Sequence, residues 1–150
     1  MRSLLYLLLC LPLLANAALF KMQSPIHVTA NQEQCLAQNI FYEAGVESVF
    51  GKYAVAQVTH NRVKKADTDF CTEVHRKAQF SWTLSRQLPP RGPLWEQSLK
   101  VAKSFLRGKR MVALAKATHY HATYVRPKWA RSNKMAAVGK IGQHIFYIHS

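Results

Sequence analysis

Acidic side chains are scarce in this 150-residue sequence. Seven Asp and Glu face 21 Lys and Arg, for a formal net charge of +14 and a pI near 10.1. Chemistry that needs a carboxylate therefore draws on a short list. Cysteine is scarce too. Three residues are too few for a disulfide-dense scaffold or for an all-cysteine structural zinc site, which takes four thiolates. Long apolar runs are missing: the longest, Leu4 to Leu14, falls short of the roughly 20 residues that a bilayer-spanning helix needs. There is no Gly-x-Ser-x-Gly, no glycine-rich phosphate loop and no His-Glu-x-x-His, which removes several hydrolase and nucleotide-binding readings. No repeat, low-complexity tract or linker divides the chain. What is there is 49% hydrophobic and 19% charged, the composition of a folded domain with a core of its own. The excess of bases points to an anionic partner: nucleic acid, anionic lipid or an acidic cell-wall polymer.

The N-terminus has the three parts of a secretory signal in order: Arg2, the Leu4–Leu14 run, and the small-x-small triplet Ala15-Asn16-Ala17. Residues 1–17 are expected to be a signal peptide, with no permanent membrane span and a secreted, periplasmic or cell-wall destination. Cleavage after Ala17 removes one base, Arg2, and no acid, so the net charge becomes about +13. It also removes Cys10 and leaves Cys35 and Cys71. In an oxidising compartment their disulfide is the expected state, and two free buried thiols are the alternative. Export argues against an intracellular nucleic-acid role, and no nucleic-acid motif is visible.

Residues 18–34 read as an irregular lead-in, with a helix entering from Asn31 to Ala44. Asn31 is a candidate cap, and Leu36, Ile40 and Phe41 share a face. Ser48 to Lys65 carries a wide apolar stripe through Phe50, Tyr53, Ala54, Val55 and Val58, and Ser48 can cap it. Phe70 to Arg76 predicts one or two helical turns. Pro93 suits a first turn and Gly108 an end, with Trp95, Leu99, Ala102 and Phe105 in helical period between them. Thr118 to Val125 is rich in β-formers, Arg126 to Asn133 is a basic loop, and Gly139 to Ile148 predicts a second strand. The fold class is α+β, mostly helical, in a single domain with a small β or irregular C-terminal region.

A carboxyl that trades protons near neutral pH sits in a partly apolar site that raises its pKa. Glu33, Glu73 and Glu96 lie beside polar or basic residues at apparently exposed positions. Asp67 and Asp69 flank a turn, where backbone hydrogen bonds explain them. Glu43 differs: it follows Ile40-Phe41-Tyr42 at the end of an apolar helix, just before Gly45. Glu47 would share its face if that helix continued. Trp82, in Gln79-Phe80-Ser81-Trp82, joins Tyr120, Tyr124, Trp129 and Tyr147 as aromatic surface for a core or for stacking sugar rings. His119, His121 and His144 have strand spacing that a metal could use, but no third carboxylate or thiolate ligand is evident. Hydrogen-bonded or substrate-contacting histidines are the preferred reading, with no metal and no cofactor.

Together these blocks resemble the SleB-like cell wall hydrolases, the spore-cortex-lytic type, from about Cys35 to Tyr147. Ile40-Phe41-Tyr42-Glu43-Ala44 looks like the family's opening helix with its Glu-Ala pair. Gly51 to Ala56 and Asn61-Arg62-Val63 look like its second helix. Cys71 and then Gln79-Phe80-Ser81-Trp82 match its most specific internal block. Thr118 to His121, Trp129 and Gly142 to Tyr147 look like its C-terminal block. The family usually follows Glu-Ala with Arg-Gly-Glu. Here the run is Glu43-Ala44-Gly45-Val46-Glu47, without the Arg.

The resemblance implies that residues 35–150 form a lysozyme-like catalytic domain acting on peptidoglycan glycan strands between N-acetylmuramic acid and N-acetylglucosamine. It implies lytic transglycosylase chemistry with Glu43 as the single catalytic acid. Substrate contacts are then expected from Glu47, Gln79, Ser81, Trp82, His119, Tyr120, His121, Trp129, His144 and Tyr147. Anionic envelope polymers are expected as further partners. The alternatives are a muramidase-type hydrolase with Glu47 or Asp69 as a second carboxylate, and a secreted cationic binder of the envelope without catalysis.

Overall fold

The computed structural model describes residues 19–150. The expected signal peptide, with Cys10, lies outside the described residues. The fold is built around α2 (Val49–Ala66), with α1 (Ala30–Ala44), α3 (Phe70–His75) and α4 (Pro93–Leu106) packed against it. Ser48 caps α2, its hydroxyl accepting from the Gly51 N–H. Every residue from Gly51 to Thr59 is buried, so the expected apolar stripe is only one side of a helix enclosed all round. The buried Lys52 and Thr59 side chains of this stretch are paired. Lys52 Nζ donates to the Gly45 and Glu47 carbonyls at 2.8 and 2.7 Å, and the Thr59 hydroxyl donates to the Val55 carbonyl. Buried polar groups cost free energy unless they are paired in this way.

Helix α1 begins one residue earlier than expected, and its cap is Thr29 rather than Asn31. The Thr29 hydroxyl accepts from the Gln32 N–H. Leu36, Ala37 and Ile40 enter the core, while Phe41 is only partly covered and meets Trp95 edge-on. Asp69 caps α3, and the expected Cys35–Cys71 disulfide joins α3 to α1. Pro93 opens α4, which buries Val101, Ala102, Phe105 and Leu106.

The lead-in is not irregular throughout. β1 (Phe20–Met22) pairs antiparallel with β2 (Lys109–Met111) immediately after α4. At the C-terminus the β region has three strands where two were expected. β3 (His119–Ala122), β5 (His144–His149) and β4 (Met135–Ile141) form an antiparallel sheet in the order β3-β5-β4. The segment read as one strand from Gly139 to Ile148 is two arms of a hairpin that turns at Gly142-Gln143, with Gly142 at φ +56°. Met135-Ala136-Ala137 has little intrinsic strand preference, and pairing with β5 decides its state.

One charge assignment also changes. Glu73 is 1% exposed, not a surface residue, and pairs with Arg76 at 2.8 Å. The bases from Arg126 to Lys140 are exposed, whereas Arg110 is buried. No described helix is long and apolar enough to cross a membrane.

Candidate active site

Strand alternation divides the sequence-predicted aromatic and histidine residues between the two faces of the C-terminal sheet. Tyr120, His144 and Phe146 lie on one face, with Tyr120 opposite Phe146 in the register and meeting the His144 ring edge-on. His119, His121, Tyr147 and His149 lie on the other. There His121 Nε2 and the Tyr147 hydroxyl are 2.9 Å apart, and Trp129 covers His119, His121 and Tyr147. The structure therefore brings Tyr120 and His144 together, while His119, His121, Trp129 and Tyr147 form a separate cluster on the opposite face.

Glu43 meets the Tyr120 face. The last turn of α1 presents its carboxylate, and Oε2 accepts a 2.8 Å hydrogen bond from the Tyr120 hydroxyl. Burial raises the Glu43 pKa. The Tyr120 hydrogen bond and the nearby positive charge of Arg62 oppose that rise without cancelling it. Tyr120 stays a neutral donor, because burial and the neighbouring carboxylate push its own pKa well up. Arg62 is fixed in turn. Its Nε donates to the Thr118 carbonyl at 2.6 Å, and its guanidinium lies over the Phe80 and Tyr120 rings. Because the hydroxyl favours the ionised carboxylate, Tyr120→Phe should raise the Glu43 pKa further. Carboxyl-carbon NMR across a pH series reads this directly. An unchanged or lower value would show that the contact does not set the titration.

Trp82 packs on α1 about one turn before Glu43. Its Nε1 donates to Asn39 Oδ1 at 2.9 Å, and its ring stacks on Tyr42 with centroids 4.5 Å apart. The Tyr42 hydroxyl donates to the Leu88 carbonyl, which ties the 81–92 segment to α1. Ser81 is exposed. Gln79 lines a cavity of about 360 Å³ with Arg62, Glu73, Arg76, Thr118 and His119. Arg62 links this cavity to Glu43, since both Glu43 and Glu73 act on its charge.

Glu47 does not share a helix face with Glu43. α1 ends at Ala44 and Glu47 lies on the connection to α2. Its Oε1 accepts from the Gln143 N–H at 2.9 Å, so it clamps the β4–β5 turn to the α1–α2 connection. A side chain at position 142 would push this carboxylate out of its clamp, and the positive φ there also favours glycine. His144 Nδ1 is 3.9 Å from Glu47 Oε1, too far for a hydrogen bond, and burial lowers the His144 pKa.

Sequence reasoning missed Glu73, Arg62 and Asn39 as parts of this region. A signal for Glu73 existed: Phe70, Glu73 and Val74 stand at i, i+3 and i+4, one helical face. Among the described residues no group of three or more His, Cys, Asp or Glu is arranged to hold a metal ion.

A mostly helical domain that lays a partly buried carboxylic acid against a small antiparallel sheet is thus the class that the geometry defines. A family model described as Cell Wall Hydrolase matches residues 46–147, and the chain belongs to that family. The matched segment begins three residues after Glu43 and takes in Arg62, Gln79 to Trp82 and the whole C-terminal sheet except its last residues. The crystal structure of the catalytic domain of the Bacillus cereus SleB protein is similar, with a TM-score of 0.66 and 25% identity. The match covers 83% of this chain and 94% of that one. A search of curated proteins gave no match. The chain is an enzyme that degrades peptidoglycan.

Proposed function

We propose that the chain is a lytic transglycosylase that cleaves between N-acetylmuramic acid and N-acetylglucosamine with Glu43 as its single acid. The observation that carries this reading is the contrast among the carboxylates. Glu43 is held partly buried with a raised pKa, while both candidates for a second carboxylate are engaged elsewhere. Glu47 clamps the hairpin turn. Asp69 caps α3, and its hydrogen bonds from Thr72 lower its pKa.

In this reading protonated Glu43 donates its proton to the glycosidic oxygen as the bond to the muramic anomeric carbon breaks. The resulting carboxylate takes the proton of the muramic 6-hydroxyl as that oxygen bonds to the anomeric carbon. The products are a free N-acetylglucosamine end and a 1,6-anhydromuramic end. No water is consumed, so the second carboxylate that an ordinary glycosidase uses is not required. Trp82, with Tyr42 beneath it, and Gln79 and Ser81 next to it are the proposed sugar contacts on the α1 side. Tyr120 and His144 belong with Glu43, and the cluster of His119, His121, Trp129 and Tyr147 would contact the strand beyond the sheet edge. The exposed bases of Arg126 to Lys140 would attract anionic envelope polymers at long range. A signal peptide over residues 1–17 would deliver the enzyme to the wall.

Mass spectrometry of the muropeptides released from purified sacculi tests the chemistry. Anhydromuramic ends are expected, from the parent enzyme and from Glu47→Gln alike, with Glu47→Gln losing less rate than Glu43→Gln. Reducing ends, heavier by one water, would identify a hydrolase instead.

A further inference from the structure

A cleft without any acidic lining residue runs along a different face of α2 from Arg62. It has two lobes, of about 410 and 640 Å³, that share Lys21, Gln23, His60, Lys64 and Arg110; Lys116 lines the first lobe. Four bases therefore face one space. Arg110 is 3% exposed. One of its nitrogens donates to the Phe105 carbonyl, its guanidinium lies 4.0 Å from the Phe105 ring centroid, and its Nε has no hydrogen-bond partner. No described carboxylate forms an ion pair with it. His60 Nδ1 is likewise buried without a partner. A buried guanidinium with no counter-charge is costly, and buried polar atoms without partners are rare enough to need a reason.

The walls of the cleft are set in advance. Asn61 Nδ2 donates to the Leu114 and Ala117 carbonyls at 2.8 and 2.7 Å, and Gln57 Oε1 accepts from the Met111 N–H. The amides thus hold the segment from Met111 to Thr118 in place beside the bases. We propose that this cleft binds an oxyanion, a phosphate or carboxylate group carried by the envelope polymer on which the enzyme acts. Arg110 and His60 line the buried wall and give it positive charge and polar character, and Lys21, Lys64 and Lys116 supply charge at the mouth. Thr118 lines both this cleft and the cavity beside Arg62, so a polymer anchored here is held next to the Glu43 region. The proposal rests on the cell-wall reading for the source of the ligand, but not for binding itself.

The His60 imidazole is a built-in reporter. Burial and the charges of Arg110 and Lys64 push its pKa down to about 4. A bound anion offsets those charges, so the His60 pKa should rise. Imidazole NMR of the protein is followed during titration with inorganic phosphate and, separately, with acetate. Saturable shifts centred on His60 are expected. Lys64→Gln with Lys116→Gln, both at exposed positions, should weaken binding at least about tenfold, the scale of one lost hydrogen bond to a charged group. Lys128→Gln with Lys134→Gln removes the same charge elsewhere and should leave binding intact. Preference for phosphate assigns a phosphodiester polymer, and preference for acetate assigns peptide-stem carboxylates. Shifts that never saturate, or equal weakening by both double variants, would overturn the site. Glu43→Gln should bind the probes like the parent, which separates failure of this site from failure of the catalytic assignment.

Discussion

Glu43→Gln removes peptidoglycan clearing and leaves a protein at least as stable as the parent at neutral pH. The loss should be roughly 10² to 10⁴-fold, the usual contribution of a positioned general acid. The amide fills the same space and its oxygen still accepts from the Tyr120 hydroxyl, so the contact between α1 and the sheet survives. The stability effect follows from the direction of the pKa shift. Burial raises the folded pKa of Glu43 above its unfolded value. Stability linked to this group is then fully present below the unfolded pKa and is lost as pH rises through the folded pKa. At neutral pH the acid is a liability that glutamine lacks, whereas in strong acid the two proteins converge. Zymography on peptidoglycan and thermal unfolding at two pH values measure both halves. A folded variant that clears like the parent would remove Glu43 from the acid role.

Loss of the Cys35–Cys71 bridge should be the largest single stability change outside the core. The cysteines are 36 positions apart, and on the chain-entropy view a loop of that length contributes about 4 kcal/mol. Small domains have only about 5–15 kcal/mol in total. Helix α3 is six residues long, below the length at which a helix persists in isolation, and the bridge fastens it to α1. With α3 goes Glu73, which influences the charge of Arg62 beside Glu43. Cys71→Ser, or reduction of the parent, should therefore lower the denaturant midpoint sharply and diminish clearing as well. A change below about 1 kcal/mol, well under the chain-entropy figure, would mean that packing alone holds α3.

The helices were legible because their signals are local. Ser48 at a cap, Pro93 at a first turn and the spacing of Leu36 and Ile40 each need only neighbours in the chain, though the same spacing also put the partly covered Phe41 on that face. The β1–β2 pair was not legible, since Phe20 meets Met111 across most of the sequence and three-residue strands carry almost no pattern. β4 was hidden for the same reason: alanine and glycine become strand only when β5 is beside them. At the site, Glu43 stood out through its aromatic neighbours. Arg62 and Glu73 did not, because charged residues are read as exposed unless a partner is known, and their partners come from other elements. Lys52 is the extreme case, fully enclosed because two carbonyls of the α1–α2 connection surround its ammonium group.

Glu43 and Tyr120 are 77 positions apart, one closing the first helix and the other in the C-terminal sheet. Until the sheet docks, Glu43 lacks the Tyr120 contact and is a solvated carboxylate with the ordinary pKa of its kind. Docking is what buries it and raises its pKa. A chain whose C-terminal sheet has not yet docked therefore contains the proposed acid without the surroundings that raise its pKa.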